Sequence, residues 1–194
     1  MPPRARALPP DERRAAILAA VEPVVLDKGL AATTRELAQA AGVAEGTLFR
    51  VFDSKDELVL ACGRGAFARR DHLDRFAAID RSLPVEERLI AIVRILQGVL
   101  GRIHRVMMTF EADKERLGHP RHLVDPDVLH QSERLMCAVL EPDAARFRLP
   151  LTEVVRILRS LTMAGLHPVG IGRPLEAEQI VDILLHGVLD PNSG

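Results

Sequence analysis

The sequence predicts an all-α protein, in which a three-helix N-terminal domain with a helix-turn-helix precedes a larger helical domain. Apolar residues recur at helical spacing along most of the 194-residue chain, and no stretch alternates polar and apolar residues as a half-buried strand would. The segment from residue 33 to residue 52 has the pattern of two short helices joined by a tight turn. Apolar residues make up 47% of the chain, which is ample for a folded core.

The helix-turn-helix prediction rests on local signals in the sequence TTRELAQAAGVAEGTLFRVF, which begins at Thr33. Thr33 and Glu36 have the spacing of a capping box, which starts a helix predicted over residues 33–40. Gly42 can adopt the left-handed conformation that ends a helix, and a second helix is predicted over residues 45–52. In this geometry the second helix lies in the DNA major groove. The alternative is an ordinary helical hairpin inside a core.

Helical patterns bounded by proline, glycine and capping residues continue along the rest of the chain. The further predicted helices cover residues 11–28, 55–76, 84–101, 104–116, 127–140, 152–167 and 176–189. Loops are predicted at 118–126 and 168–174, and the proline-rich residues 1–10 are predicted to form a mobile basic arm. The basic arm would suit phosphate contact, and a solvated tail is the alternative.

The order of residues around the helix-turn-helix resembles the DNA-binding domain of the TetR family of transcriptional regulators. The matching residues are Gly29, Thr33, Thr34, Arg35, Leu37, Ala38, Ala41, Gly42, Val43, Gly46, Thr47, Leu48, Phe49, Phe52, Ser54, Lys55 and Leu58. The resemblance implies a DNA-binding domain over residues 11–71 and an effector-binding and dimerisation domain over residues 72–194. It also implies a homodimer that binds a pseudo-palindromic operator in double-stranded DNA.

The resemblance assigns DNA contacts to side chains at the start of each helix of the motif. The predicted DNA-binding residues are Thr34, Arg35, Glu45, Gly46, Thr47, Phe49, Arg50 and Lys55. Thr34, Arg35 and Lys55 are expected to meet phosphates, and Arg50 is expected either to read guanine or to hold a phosphate. Glu45 has two readings, because a carboxylate can accept from cytosine N4 or simply repel phosphate.

Three residues depart from the usual pattern of the family. Phe49 stands where most members have tyrosine, so a phosphate hydrogen bond is lost and ring packing remains. Ala44 replaces the usual Ser or Thr cap of the second helix, at a cost of about 1 kcal/mol. Val51 occupies a position that is often histidine. DNA binding is expected to survive these changes, but the base preference cannot be derived from them.

The last two predicted helices are rich in apolar residues, and the final one is apolar around most of its circumference, which requires burial on more than one side. The resemblance places a four-helix dimer interface there. The predicted interface residues are Val154, Ile157, Leu158, Leu161, Ile180, Ile183, Leu184 and Val188. The alternative is a central core helix in a monomer.

The middle helices carry aromatic, methionine and histidine side chains that are candidates for a small-molecule pocket, since methionine adapts to varied apolar ligands. These candidates are Phe67, Leu96, His104, Met107, Met108, Phe110 and Met136. The resemblance implies a cavity here for an effector that it does not name, and the alternative is that most of them are core residues. A loop group of His119, His122, Asp125 and His130 fits no standard zinc pattern, so no metal and no cofactor are predicted.

The bulk composition narrows the class of protein further. The net charge is −1, so the chain as a whole is not a polycation. We expect a cytoplasmic protein with reduced thiols, because the N-terminal residues lack an apolar signal segment and the two cysteines lie far apart. No nucleophile–base set or nucleotide fingerprint is evident, so an enzyme is not expected.

These features together predict a DNA-binding transcriptional regulator, in the first place a repressor that an apolar small molecule releases. The alternatives are an activator, a regulator that senses a protein partner, and a helical ligand-binding or adaptor protein with a vestigial DNA domain.

Overall fold

A computed structural model of the protein describes residues 9–112, 115, 125–166 and 173–187, apart from the side chains of 109, 110 and 112. Every regular element in these residues is helical, which confirms the predicted all-α class. The α helices are α1 (Pro10–Lys28), α2 (Thr34–Ala40), α3 (Glu45–Leu48), α4 (Lys55–Ala68), α5 (Asp71–Ala77), α6 (Val85–Ala112), α7 (Pro126–Leu140), α8 (Leu151–Gly165) and α9 (Ala177–His186). Short 3₁₀ helices occupy Gly29–Ala31 and Glu141–Arg146.

The chain divides into two compact units. One takes in Met1–Ala68 and Ile103–Val124, and the other Arg69–Arg102 and Asp125–Gly194, as far as these ranges are described. Each unit has its own apolar core, which contiguous buried side chains define. The predicted boundary after residue 71 separates a DNA-binding part from an effector-binding part. That assignment of functions to the two parts stays a prediction.

Helix α1 begins and ends where the sequence predicts. Pro10 stands in its first turn, where a missing N–H costs nothing. Gly29 follows the helix with a φ of 55°, a conformation that disfavours any side chain. The buried face of α1 carries Ile17, Val21 and Val25, one turn apart, and packs in the first core.

The predicted helix over residues 55–76 is wrong in its length, because the chain leaves the helical conformation at Arg70. Arg70 has φ −120° and ψ 4°, and α5 starts anew at Asp71. The Arg70 guanidinium forms an ion pair of 2.8 Å with Asp125, whose carboxylate also accepts from the Asp127 N–H and so caps α7. The break therefore depends on contacts between segments far apart in the sequence.

The predicted interruption between residues 101 and 104 is also wrong, because α6 is one continuous helix of 28 residues. Gly98 and Gly101 each weaken a helix by about 1 kcal/mol relative to alanine. Burial of apolar side chains along α6 offsets that cost. Leu89, Ile92 and Val93 are fully enclosed in the second core.

Outside the helix-turn-helix, the remaining helix predictions are confirmed to within two residues where the structure describes them. α7 and α8 match the predicted 127–140 and 152–167, and α9 begins one residue after the predicted start at 176. The predicted end of this last helix, and the predicted loops apart from their edges, lie outside the described residues. None of the described helices is both long enough and apolar enough to cross a membrane.

The second core contains a buried cation that the sequence analysis did not single out. Arg88 is 1% exposed, and its Nε donates to the Leu83 carbonyl at 2.9 Å. Its guanidinium also donates to the Val139 carbonyl at 2.5 Å and forms an ion pair with Asp143. Arg88 therefore ties α6 to the end of α7 and to the 3₁₀ helix that follows.

The predicted dimer set divides into two groups. Val154, Leu158 and Ile180 are 5%, 0% and 1% exposed in the single chain, where they belong to the second core. A partner subunit has almost nothing left to cover on these three side chains, and their place in an interface stays a prediction. The partly exposed members Ile157, Leu161, Ile183 and Leu184 line a groove of about 530 Å³ on α8 and α9. Val188 lies outside the described residues.

Candidate nucleic-acid interface

The first helix of the predicted motif has its predicted cap. The Thr33 hydroxyl accepts from the Glu36 N–H at 3.2 Å, and the Glu36 carboxylate accepts from the Thr33 N–H at 2.8 Å. The turn after α2 is closed by Gly42, whose φ is 65°, while the Val43 N–H donates to the Ala38 carbonyl at 3.0 Å. The chain therefore reverses at Gly42 through the left-handed conformation that favours glycine.

The second helix of the motif is shorter than predicted. Regular α helix covers Glu45–Leu48, and residues 49–51 continue as turns. The Arg50 and Val51 N–H groups donate three residues back, to Thr47 and Leu48, which tightens the last turn. Ala44 provides no side-chain cap, as its identity requires.

The segment from α2 to the turn after α3 presents an exposed set of side chains next to a buried seam. Leu37, Ala38, Leu48 and Phe52 are buried in the first core. On the other side Arg35, Glu45 and Arg50 are exposed, and the Phe49 ring is 46% exposed. In the described part of the chain, neither the Arg35 nor the Arg50 guanidinium has a hydrogen bond or an ion pair. Both guanidinium groups are available to an anionic partner.

Arg14 of α1 holds the segment after α3 in place. Its guanidinium donates to the Val51 carbonyl at 2.9 Å and to the Glu57 carboxylate at 2.7 Å, and lies 4.3 Å from the centre of the Phe52 ring. Glu57 also accepts from the Asp53 N–H at 2.6 Å. The Arg14 hydrogen bond lowers the pKa of Glu57. We call this group of five residues the Arg14 clasp.

Lys55, predicted to contact phosphate, already makes two hydrogen bonds within the protein. Its ammonium donates to the Leu30 carbonyl at 2.6 Å and to the Ala32 carbonyl at 3.2 Å. An ammonium has three donors, so one remains for another acceptor. Lys55 therefore also ties α4 to the segment before α2.

Thr34 and Glu45, both predicted to contact DNA, contact each other. The Thr34 hydroxyl donates to the Glu45 carboxylate at 2.8 Å, which joins the first residue of α2 to the first residue of α3. Close by, Lys28 forms an ion pair of 2.6 Å with Glu36. The pair with Lys28 and the hydrogen bonds from Thr33 lower the pKa of Glu36 to about 2. The same pair raises the pKa of Lys28.

The effector candidates are spread over two cores. Phe67 is buried in the first core with Met107 packed against it, whereas Leu96 and Met136 are buried in the second. Met108 is 54% exposed. His104 is partly buried, and the Phe110 side chain lies outside the described residues. The proposed pocket therefore stays a prediction.

The second unit contains a buried histidine, His72, that the sequence analysis missed. Its Nε2 lies 3.2 Å from the Ser132 hydroxyl, and that hydroxyl donates to the Val128 carbonyl at 2.7 Å. Nε2 therefore carries the ring proton, and Nδ1 is buried without a partner among the described atoms. Burial lowers the pKa of His72. Only the packing of α5 on α7 reveals this pair, because the two residues are 60 positions apart.

The loop group considered for a metal is only partly described. Asp125 is engaged by Arg70 and by the start of α7, as above, and His130 is exposed. His119 and His122 lie outside the described residues.

Comparison with known proteins supports the DNA-binding interpretation of the motif. Residues 17–62 match the family described as bacterial regulatory proteins, tetR family. The chain is 29% identical over 181 residues to the HTH-type transcriptional repressor KstR2 of Mycobacterium tuberculosis, covering 88% of each chain.

Solved structures share the fold over nearly the whole chain. The TetR transcriptional regulator SCO0520 from Streptomyces coelicolor is 25% identical with a TM-score of 0.58, covering 92% of this chain and 99% of that one. The transcriptional regulator FadR from Bacillus subtilis, in complex with stearoyl-CoA, is 13% identical with a TM-score of 0.56, covering 90% and 99%. Residues 17–62 therefore match the TetR family of bacterial transcriptional regulators, and the chain is similar in sequence to a repressor and in fold to TetR regulators along most of its length.

Proposed function

We propose that the protein is a homodimeric repressor, which binds an inverted-repeat operator through the segment from α2 to α3 and is released by a small molecule with a large apolar part. The observation that carries the DNA contact is the exposed pair Arg35 and Arg50 beside the buried seam of the motif. Repression follows the similarity to KstR2, which is described as a repressor.

Arg50 is the long cation that follows α3, so it is the residue to test first. Arg50→Ala should weaken binding to the operator and reduce the slope of log affinity against log salt by about 1 if the guanidinium holds a phosphate. If Arg50 reads guanine instead, the loss should be confined to one base-pair position. Fluorescence anisotropy with a labelled duplex from the region upstream of the gene would measure both quantities.

The matched control is Arg81→Ala, which removes the same charge from an exposed residue of the second unit. It should leave affinity and salt slope close to wild type. Equal losses in both variants would mean that only the overall charge matters and would contradict the assignment to Arg50. Absence of any salt-sensitive duplex binding by the wild-type protein would refute the proposed function itself.

The groove on α8 and α9 is the proposed dimer surface. Its partly exposed apolar side chains include Leu161 on α8 and Ile183 on α9, with the 48%-exposed Leu149 beside them. A second copy of the same surface would remove these side chains from water, as the two-fold interface of a homodimer requires. Leu161→Glu should therefore shift the protein from dimer to monomer in light scattering.

Leu129→Glu is the matched control, because Leu129 is a 38%-exposed leucine on α7, away from this groove. It should remain dimeric. A monomeric wild-type protein, or a Leu161→Glu variant that stays dimeric, would contradict the assignment.

The effector is proposed to be amphipathic, since the FadR structure of the same fold contains stearoyl-CoA. Release requires that the ligand bind more tightly to a conformation that does not fit the operator. Stearoyl-CoA and free coenzyme A, which lacks the acyl chain, form a matched pair of probes for the protein–operator complex. Release by the first alone would support an amphipathic effector, whereas release by neither would exclude this ligand class.

A further inference from the structure

The hydrogen bond between Thr34 and Glu45 changes what each residue can do at DNA. A threonine hydroxyl has one proton to donate, and here that proton points to the Glu45 carboxylate at 2.8 Å. While this bond is formed, Thr34 cannot also donate to a phosphate oxygen. The expected role of Thr34 as a phosphate ligand is therefore replaced by a role within the protein.

The Glu45 carboxylate is exposed, and its bond with Thr34 orients it as a hydrogen-bond acceptor. Glu45 is the first residue of α3, and it is exposed between Ala44, which has only a methyl group, and Gly46, which has no side chain. Among the described residues, Thr34 is the only hydrogen-bond partner of this carboxylate, and no arginine or lysine neutralises it. A carboxylate accepts and does not donate, so a DNA partner must supply a donor.

The major groove offers donors of this kind on two bases. Cytosine presents the N4 amino group and adenine the N6 amino group, whereas guanine and thymine present acceptors. In adenine the N7 acceptor lies beside the amino group and would repel the carboxylate. Cytosine has no such acceptor beside N4 in the groove, so it is the better partner.

We propose that Glu45 is a specificity-determining residue that accepts from the N4 amino group of one cytosine in each operator half-site, and that Thr34 is the positioning residue that holds it. This inference rests on the proposed function, because it requires that α3 face the major groove.

The first test measures base preference. Selection from a random duplex library with wild-type protein defines the operator, and affinities are then measured with each of the four base pairs at every half-site position. We expect one position at which wild-type protein prefers cytosine by about 5- to 160-fold, the range of a good base contact. Glu45→Gln should move the preference at that position to adenine, because an amide pairs with N6 and N7 together.

The second test separates positioning from phosphate binding. Thr34→Val keeps the shape of the side chain but removes the hydroxyl, and should relax the cytosine preference while leaving affinity for random-sequence DNA and the salt slope unchanged. Thr34→Ser keeps the hydroxyl and should retain the wild-type preference. Helical circular dichroism and melting temperature establish that each variant is folded.

The outcomes distinguish this inference from the proposed function. An unchanged base profile in Glu45→Gln would overturn the role of Glu45 even though the protein binds its operator. Equal weakening of all duplexes by Thr34→Val, with a smaller salt slope, would show that Thr34 is a phosphate ligand after all. Failure of wild-type protein to bind any duplex would overturn the proposed function and this inference with it.

Discussion

The Arg14 clasp makes a quantitative prediction about the part of the chain that follows α3. Arg14→Met keeps a long apolar stem but removes the guanidinium that contacts Val51, Glu57 and Phe52. The variant should be less stable than wild type, and it should also bind the operator less tightly. The loss of affinity follows because the segment carrying Arg50 loses an attachment to α1.

The size of the effect follows from the three contacts. The hydrogen bond to the Val51 carbonyl contributes about 1 kcal/mol. The ion pair with Glu57 contributes only about 0.3 to 0.5 kcal/mol, because the two side chains are 36% and 31% exposed and water screens them. The cation over the Phe52 ring adds about 0.5 to 1 kcal/mol. The variant should therefore lose about 2 kcal/mol of unfolding free energy.

The assay is urea unfolding followed by circular dichroism at 222 nm, since the chain has no tryptophan or tyrosine for fluorescence. All variants are measured at one protein concentration. Glu57→Gln alone and combined with Arg14→Met completes a double-mutant cycle, which isolates the ion pair. Arg14→Lys serves as the charge-preserving control. Lysine keeps the charge, but its donors all lie on one nitrogen and it lacks the planar fork, so it should recover only part of the loss.

An Arg14→Met variant whose unfolding free energy lies within about 0.5 kcal/mol of the wild-type value would contradict a stabilising role of the Arg14 clasp. A difference of that size is the scatter expected of a surface substitution. A full recovery in Arg14→Lys would show that charge alone matters and that the geometry of the clasp does not.

Three other predictions each concern a single residue. The Glu36 pKa is lowered to about 2, so the Lys28–Glu36 pair stabilises the fold above pH 4.5 and loses this contribution as pH falls towards 2. Glu36→Gln, which can keep the capping box, should flatten acid unfolding curves in that window; an unchanged curve would contradict the pair. The His72 pKa is lowered from 6.5 by burial, so the unfolded chain takes up this proton first and stability should fall as pH drops below 6.5. His72→Asn should remove that slope in thermal melts at pH 5.5 and 7.5, and a slope that persists would assign it to other groups. Gly42→Ala meets no atom within 4 Å of the new Cβ, so its expected cost of about 1 to 2 kcal/mol is the left-handed φ of 65° alone; urea unfolding with no loss would contradict that origin.

Local chemistry made much of the fold predictable. Helix limits at Pro10, Gly29 and Gly42 and the capping box at Thr33 depend on residues at most four positions apart. The amphipathic patterns of α7 and α8 depend on one helical repeat. For these features the interacting residues are close together in the sequence, so a local pattern is enough to predict them.

The errors arose where distant segments decide the outcome. Gly98 and Gly101 weaken a helix locally, yet α6 continues because its side chains are buried in the cores. Thr34 and Glu45 stay predicted DNA-binding residues, and no local pattern indicates that their side chains meet. Their mutual bond spans 11 positions and depends on how α2 crosses α3.

The helical class, the helix-turn-helix and the resemblance to the TetR family follow from the sequence alone, because they depend on short-range spacing and on an ordered set of residue identities. The tertiary structure decided which charged groups are already engaged. Arg14 and Val51 are 37 positions apart, and Lys55 and Leu30 are 25 apart. No local pattern encodes such pairs, because a long cation is equally compatible with phosphate, carboxylate or carbonyl until packing brings one of them within reach.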